Sequence, residues 1–189
     1  MNFNIVLRSG TIAILGALSM TSVALADELT LSSPTLQDKG SLPNTHVFSG
    51  FGCSGANRSP EINWKNVPPG TESFAITAFD PDAPTDSGWW HWLVYNLPKA
   101  ATGVSENAGR SSSEGLPEGT VQARSDFGSV GFGGACPPEG AKPHRYIFTV
   151  YALKVKSLEL PGNASAALTS FMIKANSVGQ ASLTAFYGR

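Results

Sequence analysis

Short apolar runs separated by glycine and proline dominate the pattern of hydrophobic and polar positions along the chain. The runs are rich in Val, Ile, Phe, Tyr and Trp, and 20 glycines and 13 prolines interrupt them at short intervals. This punctuation is typical of a domain built from β-strands. The clearest predicted strands cover residues 73–79, 90–97 and 146–153. Both alternating faces of the third run are largely apolar, which predicts a strand in the interior of a sheet.

Weaker patterns predict four further strands, at residues 29–31, 46–48, 61–64 and 181–187. One helix is expected, with Asn163 as its cap and an apolar stripe at helical spacing that stops before Asn176. We expect the stripe to pack into the core; it contains Ala164, Ala167, Leu168, Phe171, Met172 and Ala175. These elements favour a mainly β fold, a two-sheet antiparallel β-sandwich with a short helix near the C terminus, over an alternating β/α fold.

The first 26 residues have the features of a secretory signal peptide. Arg8 precedes an uncharged run at residues 11–23, and small residues stand before the predicted cut at Asp27. The run is too short to span a bilayer comfortably, and no later segment offers a second candidate. An uncleaved anchor or amphipathic helix is the alternative interpretation. The prediction is therefore a cleavable signal peptide at 1–26 and a single domain at 27–189.

Removal of 26 of the 189 residues leaves 163, which is the size of one ordinary domain with a proper core. Without Arg8 the chain has 12 basic and 14 acidic side chains, a net charge of −2 with histidine neutral. Binding to nucleic acid or to an anionic membrane requires clustered Lys and Arg. Neither class of partner is expected.

The chain has two cysteines, Cys53 and Cys136, and both lie in Gly-rich segments beyond the predicted signal. Export to an oxidising compartment favours a disulfide between them. Two unrelated free thiols are the alternative, because spacing does not show proximity. Two cysteines without clustered histidines do not form a zinc-finger pattern.

Two segments at predicted strand ends carry candidate functional side chains. Asp80 and Asp82 lie in an Asp-Pro-Asp-Ala-Pro segment whose prolines restrict the backbone and so fix the direction of the carboxylates. The alternative is a turn in which both carboxylates only accept bonds from nearby backbone N–H groups. His91 lies among three tryptophans, where a dry environment strengthens hydrogen bonds. The alternative there is a satisfied core histidine.

A third segment, residues 131–138, is Gly-rich and is followed by His144 and Tyr146. Its glycines allow close backbone approach, so its amide N–H groups are expected to converge on an anion; a flexible loop is the alternative. No Gly-Lys-Ser or Gly-Lys-Thr follows, so it is not a nucleotide phosphate loop. We expect imidazole and phenol donors from the three segments to meet at one anion, with Asp80 orienting a histidine.

These segments resemble the phosphatidylethanolamine-binding, Raf-kinase-inhibitor-like protein family, specifically its bacterial YbhB/YbcL-type branch. The matching segments cover nearly all of the mature chain and are residues 48–53, 80–84, 89–92, 126–128, 133–138, 143–146 and 187–189. The resemblance implies a β-sandwich with a small pocket that accepts phosphate, phosphorylethanolamine heads, acetate or similar groups.

The resemblance also implies roles for individual residues. The residues implied to contact the anion are Asp80, His91, Cys136, His144 and Tyr146. The residues implied to form the pocket wall are Asp82, Pro84, Trp89, Pro137 and Pro138. In animal relatives a glycine holds the position of Cys136. The Cys136 side chain is therefore expected to narrow the pocket or to bond to Cys53.

Three classes of function follow from these residues. The favoured one is non-enzymatic binding of a phosphate-type anion on a lipid head, a metabolite or a phosphorylated partner. The alternative implied by the resemblance is an exported inhibitor or modulator of a protease or of host kinase signalling. Catalysis by Asp80, His91 and His144 is disfavoured, since the sequence has no Gly-X-Ser-X-Gly or His-Glu-X-X-His motif. We expect no cofactor, no metal and a periplasmic or secreted location, and a homodimer stays open.

Overall fold

The computed structural model describes residue 1 and residues 28–189. Within these residues the chain forms ten strands and one α-helix, α1, at Ala166–Asn176. The strands are β1 (Thr30–Ser32), β2 (Ser49–Gly50), β3 (Cys53–Ser54), β4 (Ile62–Lys65), β5 (Ser73–Asp80), β6 (Trp89–Pro98), β7 (Gly103–Val104), β8 (Val121–Gln122), β9 (His144–Leu153) and β10 (Ser177–Tyr187). Apart from residue 1, the predicted signal peptide lies outside the described residues.

A five-stranded antiparallel sheet in the order β10-β9-β5-β6-β8 forms the centre of the fold. A second sheet has the order β1-β4-β7, and β2 and β3 form a short ribbon. The predicted mainly β, antiparallel fold class is confirmed. The three clearest predicted strands are β5, β6 and β9, and all three lie in the interior of the large sheet.

Apolar side chains on both faces explain why these strands are interior. On one face Phe74 and Ile76 of β5 join a large core that includes Trp64 of the second sheet. On the other face Ala75 joins a smaller core that includes Ile173 of α1. Burial of each large side chain contributes roughly 1.5–3 kcal/mol. The five-stranded sheet is therefore covered by the second sheet on one side and by α1 on the other.

The predicted helix is present, but the predictions of its cap and its buried face are wrong. Ser165, not Asn163, caps α1, because its Oγ accepts the backbone N–H of Leu168 at 3.1 Å. The buried residues of the helix are Ala166, Thr169, Ser170 and Ile173. Four of the six members of the predicted stripe are exposed, among them Leu168 (41%) and Phe171 (65%). Small residues let the helix approach the sheet closely, so the bulky stripe lies outside.

The predicted strand at residues 46–48 is also wrong. Asn44–His46 forms one turn of 3-10 helix, and Val47 makes only an isolated parallel bridge to Ala135. The buried His46 imidazole explains the turn, because it bonds the carbonyl of Arg58 at 2.7 Å and the hydroxyl of Thr35 at 2.9 Å. The other three weak strands are present as β1, β4 and β10. Among the described residues, no helix is long and apolar enough to cross a membrane.

Candidate functional site

Three strands bring the candidate side chains to one end of the five-stranded sheet. Strand β5 ends at Asp80, which pairs with Trp89 at the start of β6. Strand β9 runs antiparallel to β5 on its other side and begins at His144. His91, two residues into β6, and Tyr146, two residues into β9, therefore lie at the same end as Asp80.

A buried carboxylate and imidazole form a pair at this end. Asp80 and His144 are 2% and 6% exposed, and Asp80 Oδ2 lies 2.8 Å from His144 Nδ1. A carboxylate accepts, so Nδ1 donates and Nε2 is the ring nitrogen left for a ligand. Asp80 Oδ1 accepts the backbone N–H of Asp82 at 2.8 Å. Both carboxylate oxygens are engaged, which fixes the orientation of the His144 ring.

His91 is the second buried imidazole of the site. Its Nδ1 lies 2.7 Å from the carbonyl oxygen of Gly133. Burial lowers the pKa of His91, and the Gly133 carbonyl and the charge of Asp80 only partly oppose this effect. The ring meets Tyr146 and Phe127 edge-on, with centroid distances of 5.1 and 5.4 Å. His91 is therefore a neutral imidazole in a dry aromatic setting.

The hydroxyl of Tyr146 is a third buried polar group of the site. Tyr146 is 3% exposed, and its oxygen has no hydrogen-bond partner among the described residues. Burial, and then the negative charge of Asp80, raise the pKa of Tyr146 far above its ordinary value. The backbone N–H of Cys136 approaches this oxygen and partly offsets the rise, but it falls short of hydrogen-bond geometry. The phenol therefore keeps its proton and can donate it to a ligand.

The Gly-rich segment reaches the site, but most of its amides do not point at a ligand. Three consecutive N–H groups bond to the protein: Gly133 to the His91 carbonyl (2.9 Å), Gly134 to Asn57 Oδ1 (2.7 Å) and Ala135 to the His46 carbonyl (3.1 Å). The expected convergence of these amides on an anion is therefore wrong. Close packing is the reason for glycine here, because a Cβ on Gly134 would lie 2.4 Å from the His46 carbonyl oxygen.

Cys53 and Cys136 form a disulfide across 83 residues, with their Cα atoms 6.0 Å apart. The predicted disulfide is confirmed, and the alternative of two free thiols is wrong. The bond joins β3 to the segment that lines the site, so Cys136 offers no thiol to a ligand.

A cavity of about 310 Å³ opens between these groups. Its walls are mostly apolar, with a few convergent polar groups, as is usual for a small-ligand pocket. Nine of the ten predicted site residues line it: Asp80, Pro84, Trp89, His91, Cys136, Pro137, Pro138, His144 and Tyr146. Chain segments more than 50 residues apart in sequence thus meet at one pocket.

Comparison with known proteins identifies the family of the chain. The family model described as phosphatidylethanolamine-binding protein matches residues 32–188. The chain belongs to the phosphatidylethanolamine-binding protein family. It is 49% identical to YbcL of Escherichia coli K12 over 168 residues, which are 89% of this chain and 92% of YbcL. It is 47% identical to YbhB of the same organism over 157 residues, which are 83% of this chain and 98% of YbhB.

A solved structure agrees with the assignment to the phosphatidylethanolamine-binding protein family. The crystal structure of Escherichia coli YbcL matches with a TM-score of 0.84 and 49% identity. The match covers 86% of this chain and 99% of that chain. YbcL is described there as a new member of the mammalian family.

Arg189 is the principal pocket residue of this family member that sequence reasoning did not assign. Its guanidinium donates through Nε to the carbonyl of Pro137 (2.8 Å), through Nη1 to Gly52 (3.1 Å) and through Nη2 to Phe51 (3.3 Å). These bonds use three of its five N–H donors and hold a positive charge at the pocket wall. Its one sequence signal was its place in the last matching segment, residues 187–189. The other unassigned lining residues are Phe51, Ala83, Thr85 and Phe127.

Asp82 is the predicted wall residue that does not line the pocket. Its carboxylate faces outward and accepts Arg145 Nε at 2.8 Å, Nη2 at 2.7 Å and the backbone N–H at 2.9 Å. The Arg145 side-chain bonds lower the pKa of Asp82 to about 2. The assignment of Asp82 to the wall is wrong, since the turn after β5 points the two carboxylates in different directions. Within the described part of the chain, no group of three or more His, Cys, Asp or Glu side chains is placed to hold a metal ion.

Proposed function

We propose that the pocket binds a small phosphate-type anion, alone or as the head of a larger molecule, and does not turn it over. The observation that carries the proposal is the Tyr146 hydroxyl, a buried donor without a partner among the described residues, on a residue that lines the pocket. An unpaired buried hydroxyl costs roughly 1–3 kcal/mol, so a ligand that accepts its hydrogen bond recovers that cost. Membership in a family named for binding phosphatidylethanolamine supports a ligand-binding role.

The groups around Tyr146 suit a negative charge. His144, oriented by Asp80, presents Nε2 and donates to an anion when both ring nitrogens carry hydrogen. Arg189 supplies a fixed positive charge and two N–H donors beyond the three in use. Charge-assisted hydrogen bonds to oxyanions are about twice as strong as neutral ones. An oxyanion small enough for the cavity would therefore be bound from several sides.

The same residues argue against covalent catalysis. Nucleophilic catalysis needs a thiol, hydroxyl or carboxylate activated by a neighbouring base. Cys136 is oxidised in the disulfide, and the Thr85 hydroxyl donates to the Gly88 carbonyl. Asp80 has both oxygens engaged, and the Tyr146 phenol keeps its proton. These features support a binding pocket in an exported protein, since a disulfide persists in oxidising compartments.

Isothermal titration of the whole protein with inorganic phosphate and with phosphorylethanolamine tests the proposal. We expect Tyr146→Phe to weaken both ligands about tenfold, because it removes one donor and keeps the ring. Tyr95→Phe is the matched control, since Tyr95 is equally buried on β6 but belongs to the core cluster that contains α1. Absence of binding to wild type, or equal binding by both variants, would remove this function.

A further inference from the structure

The hydrogen on the His91 ring has one location that the structure allows. Nδ1 lies 2.7 Å from the Gly133 carbonyl oxygen, and both groups are buried. A carbonyl oxygen has no hydrogen to give, so Nδ1 must be the donor. The ring is held between the edges of Tyr146 and Phe127, which prevents it from turning Nδ1 elsewhere.

The other ring nitrogen, Nε2, is consequently an acceptor. Burial keeps the His91 ring neutral, and a neutral imidazole with hydrogen on Nδ1 carries a lone pair on Nε2. The backbone of Gly133 and of Gly134 and the charges of Asp80 and Asp126 favour a charged ring, and burial outweighs them. The Gly134 backbone also lies near the ring but falls short of hydrogen-bond geometry, so Nε2 has no hydrogen-bond partner among the described residues, and His91 lines the pocket. This lone pair therefore lies in the same pocket as the Tyr146 hydroxyl, which donates, and the Arg189 guanidinium, which carries a positive charge.

We infer that the pocket selects an oxyanion that carries its own proton, because His91 Nε2 accepts a hydrogen bond from the P–OH of hydrogen phosphate. The inference rests on the proposed function and adds specificity to it. Tyr146 and Arg189 would donate to the oxygens that carry no hydrogen. In a fully deprotonated oxyanion the oxygen at His91 would place a lone pair against a lone pair. Sites built around a ligand hydroxyl reject the analogue without it by large factors.

Hydrogen phosphate and sulfate provide a direct test on the wild-type protein. At about pH 8.5, above the second and below the third pKa of inorganic phosphate, both are tetrahedral dianions, and only phosphate carries a proton. Isothermal titration should show phosphate binding at least about tenfold more tightly than sulfate. Equal affinities, or tighter sulfate, would overturn the inference and leave the proposed function standing. Failure of both to bind would overturn the proposed function and the inference together.

Methyl phosphate separates the proton from the identity of the central atom. Near pH 8.5 it is a dianion without P–OH, and near pH 5 most of it is a monoanion that carries one. We expect its affinity relative to sulfate to rise severalfold as the pH falls across this range. Taking the ratio to sulfate removes effects of pH on the protein that act equally on both ligands. A constant ratio would contradict the inference.

A variant pair assigns the selectivity to His91. In His91→Gln the amide can offer either oxygen or NH₂, so the phosphate-to-sulfate affinity ratio should fall towards one. Tyr146→Phe should weaken both anions and keep the ratio, since its hydroxyl donates to either. Circular dichroism checks folding of both variants, and the wild-type comparison stands if His91→Gln does not fold. An unchanged ratio in folded His91→Gln would exclude His91 as the acceptor.

Discussion

The 3-10 turn at His46 and the pocket at His91 both bury an imidazole, and the hydrogen bonds of the two rings differ at one nitrogen. His46 is 0% and His91 4% exposed, and burial lowers the pKa of each. In both rings Nδ1 donates to a carbonyl at 2.7 Å, that of Arg58 or that of Gly133. At His46, however, Nε2 accepts the hydroxyl of Thr35 at 2.9 Å, whereas the Nε2 of His91 has no partner among the described residues. Burial and a lowered pKa are thus common to both rings, and the unused ring nitrogen at a cavity is what distinguishes His91.

Breaking the disulfide has the largest expected effect, because the bond joins the region near the His46 turn to the pocket. In a Cys53→Ser/Cys136→Ser variant we expect the free energy of unfolding to fall by about 2–4 kcal/mol, since the link closes 83 residues. Denaturant unfolding measures this change, and wild type in excess reductant should match the variant. An unchanged unfolding midpoint would show that the bond adds nothing to stability.

Removing His46 should affect stability and leave binding intact. His46→Ala unpairs the Arg58 carbonyl and opens a cavity, so we expect a loss of about 2 kcal/mol in unfolding free energy. Phosphate affinity of the folded variant should stay within about twofold of wild type, while His144→Ala should lower it about tenfold or more. Denaturant unfolding and isothermal titration on both variants test this contrast. Weak phosphate binding by folded His46→Ala would contradict it.

The part of the pocket that lies at the ends of the central strands could be predicted from the sequence. Apolar runs located β5, β6 and β9, and the antiparallel order of these strands brings Asp80, His91 and His144 together. Sequence alone did not show that Nε2 of His46 has a partner whereas Nε2 of His91 has none among the described residues, because Thr35 lies 11 residues from His46 along the chain. Contacts across such distances depend on the folded chain.

The outer face of α1 shows a second limit of sequence reasoning. An apolar stripe at helical spacing predicts a buried face, yet Leu168 and Phe171 of that stripe are exposed. Thr169 and Ser170, which lie outside it, are buried. Helical spacing identifies faces, but which face packs depends on how closely the sheet approaches. Arg189 was missed for a related reason, since its three carbonyl partners belong to segments separated from it by 52 or more residues.

Arg189 tests whether the pocket, unlike the His46 turn, depends on charge. We expect Arg189→Gln to weaken phosphate about tenfold, or about 1.4 kcal/mol, and to reduce the salt dependence of binding. The phosphate affinity of Arg189→Lys should lie between those of wild type and Arg189→Gln. An ammonium keeps the positive charge but cannot donate to three carbonyls as a planar guanidinium does. Arg110→Gln is the control, since Arg110 is exposed, pairs with Glu114 and does not line this pocket. Equal phosphate affinities of Arg189→Gln and Arg110→Gln would show that Arg189 is not part of the binding site.

The smallest expected effect comes from Asp82, which follows β5 together with Asp80 but lies outside the pocket that Asp80 lines. The Arg145 bonds hold the pKa of Asp82 at about 2, below its unfolded value of roughly 3.9, so their stabilisation is present above pH 4 and is lost as the pH falls towards 2. Because the pair is solvent-exposed, Asp82→Asn should change the unfolding equilibrium constant at neutral pH by less than about fivefold. The difference in unfolding free energy between Asp82→Asn and wild type should vanish near pH 2, as measured by denaturant unfolding. Phosphate affinity should not change, because Asp82 lies outside the cavity that Asp80 lines; a clear loss of affinity would return Asp82 to the pocket wall.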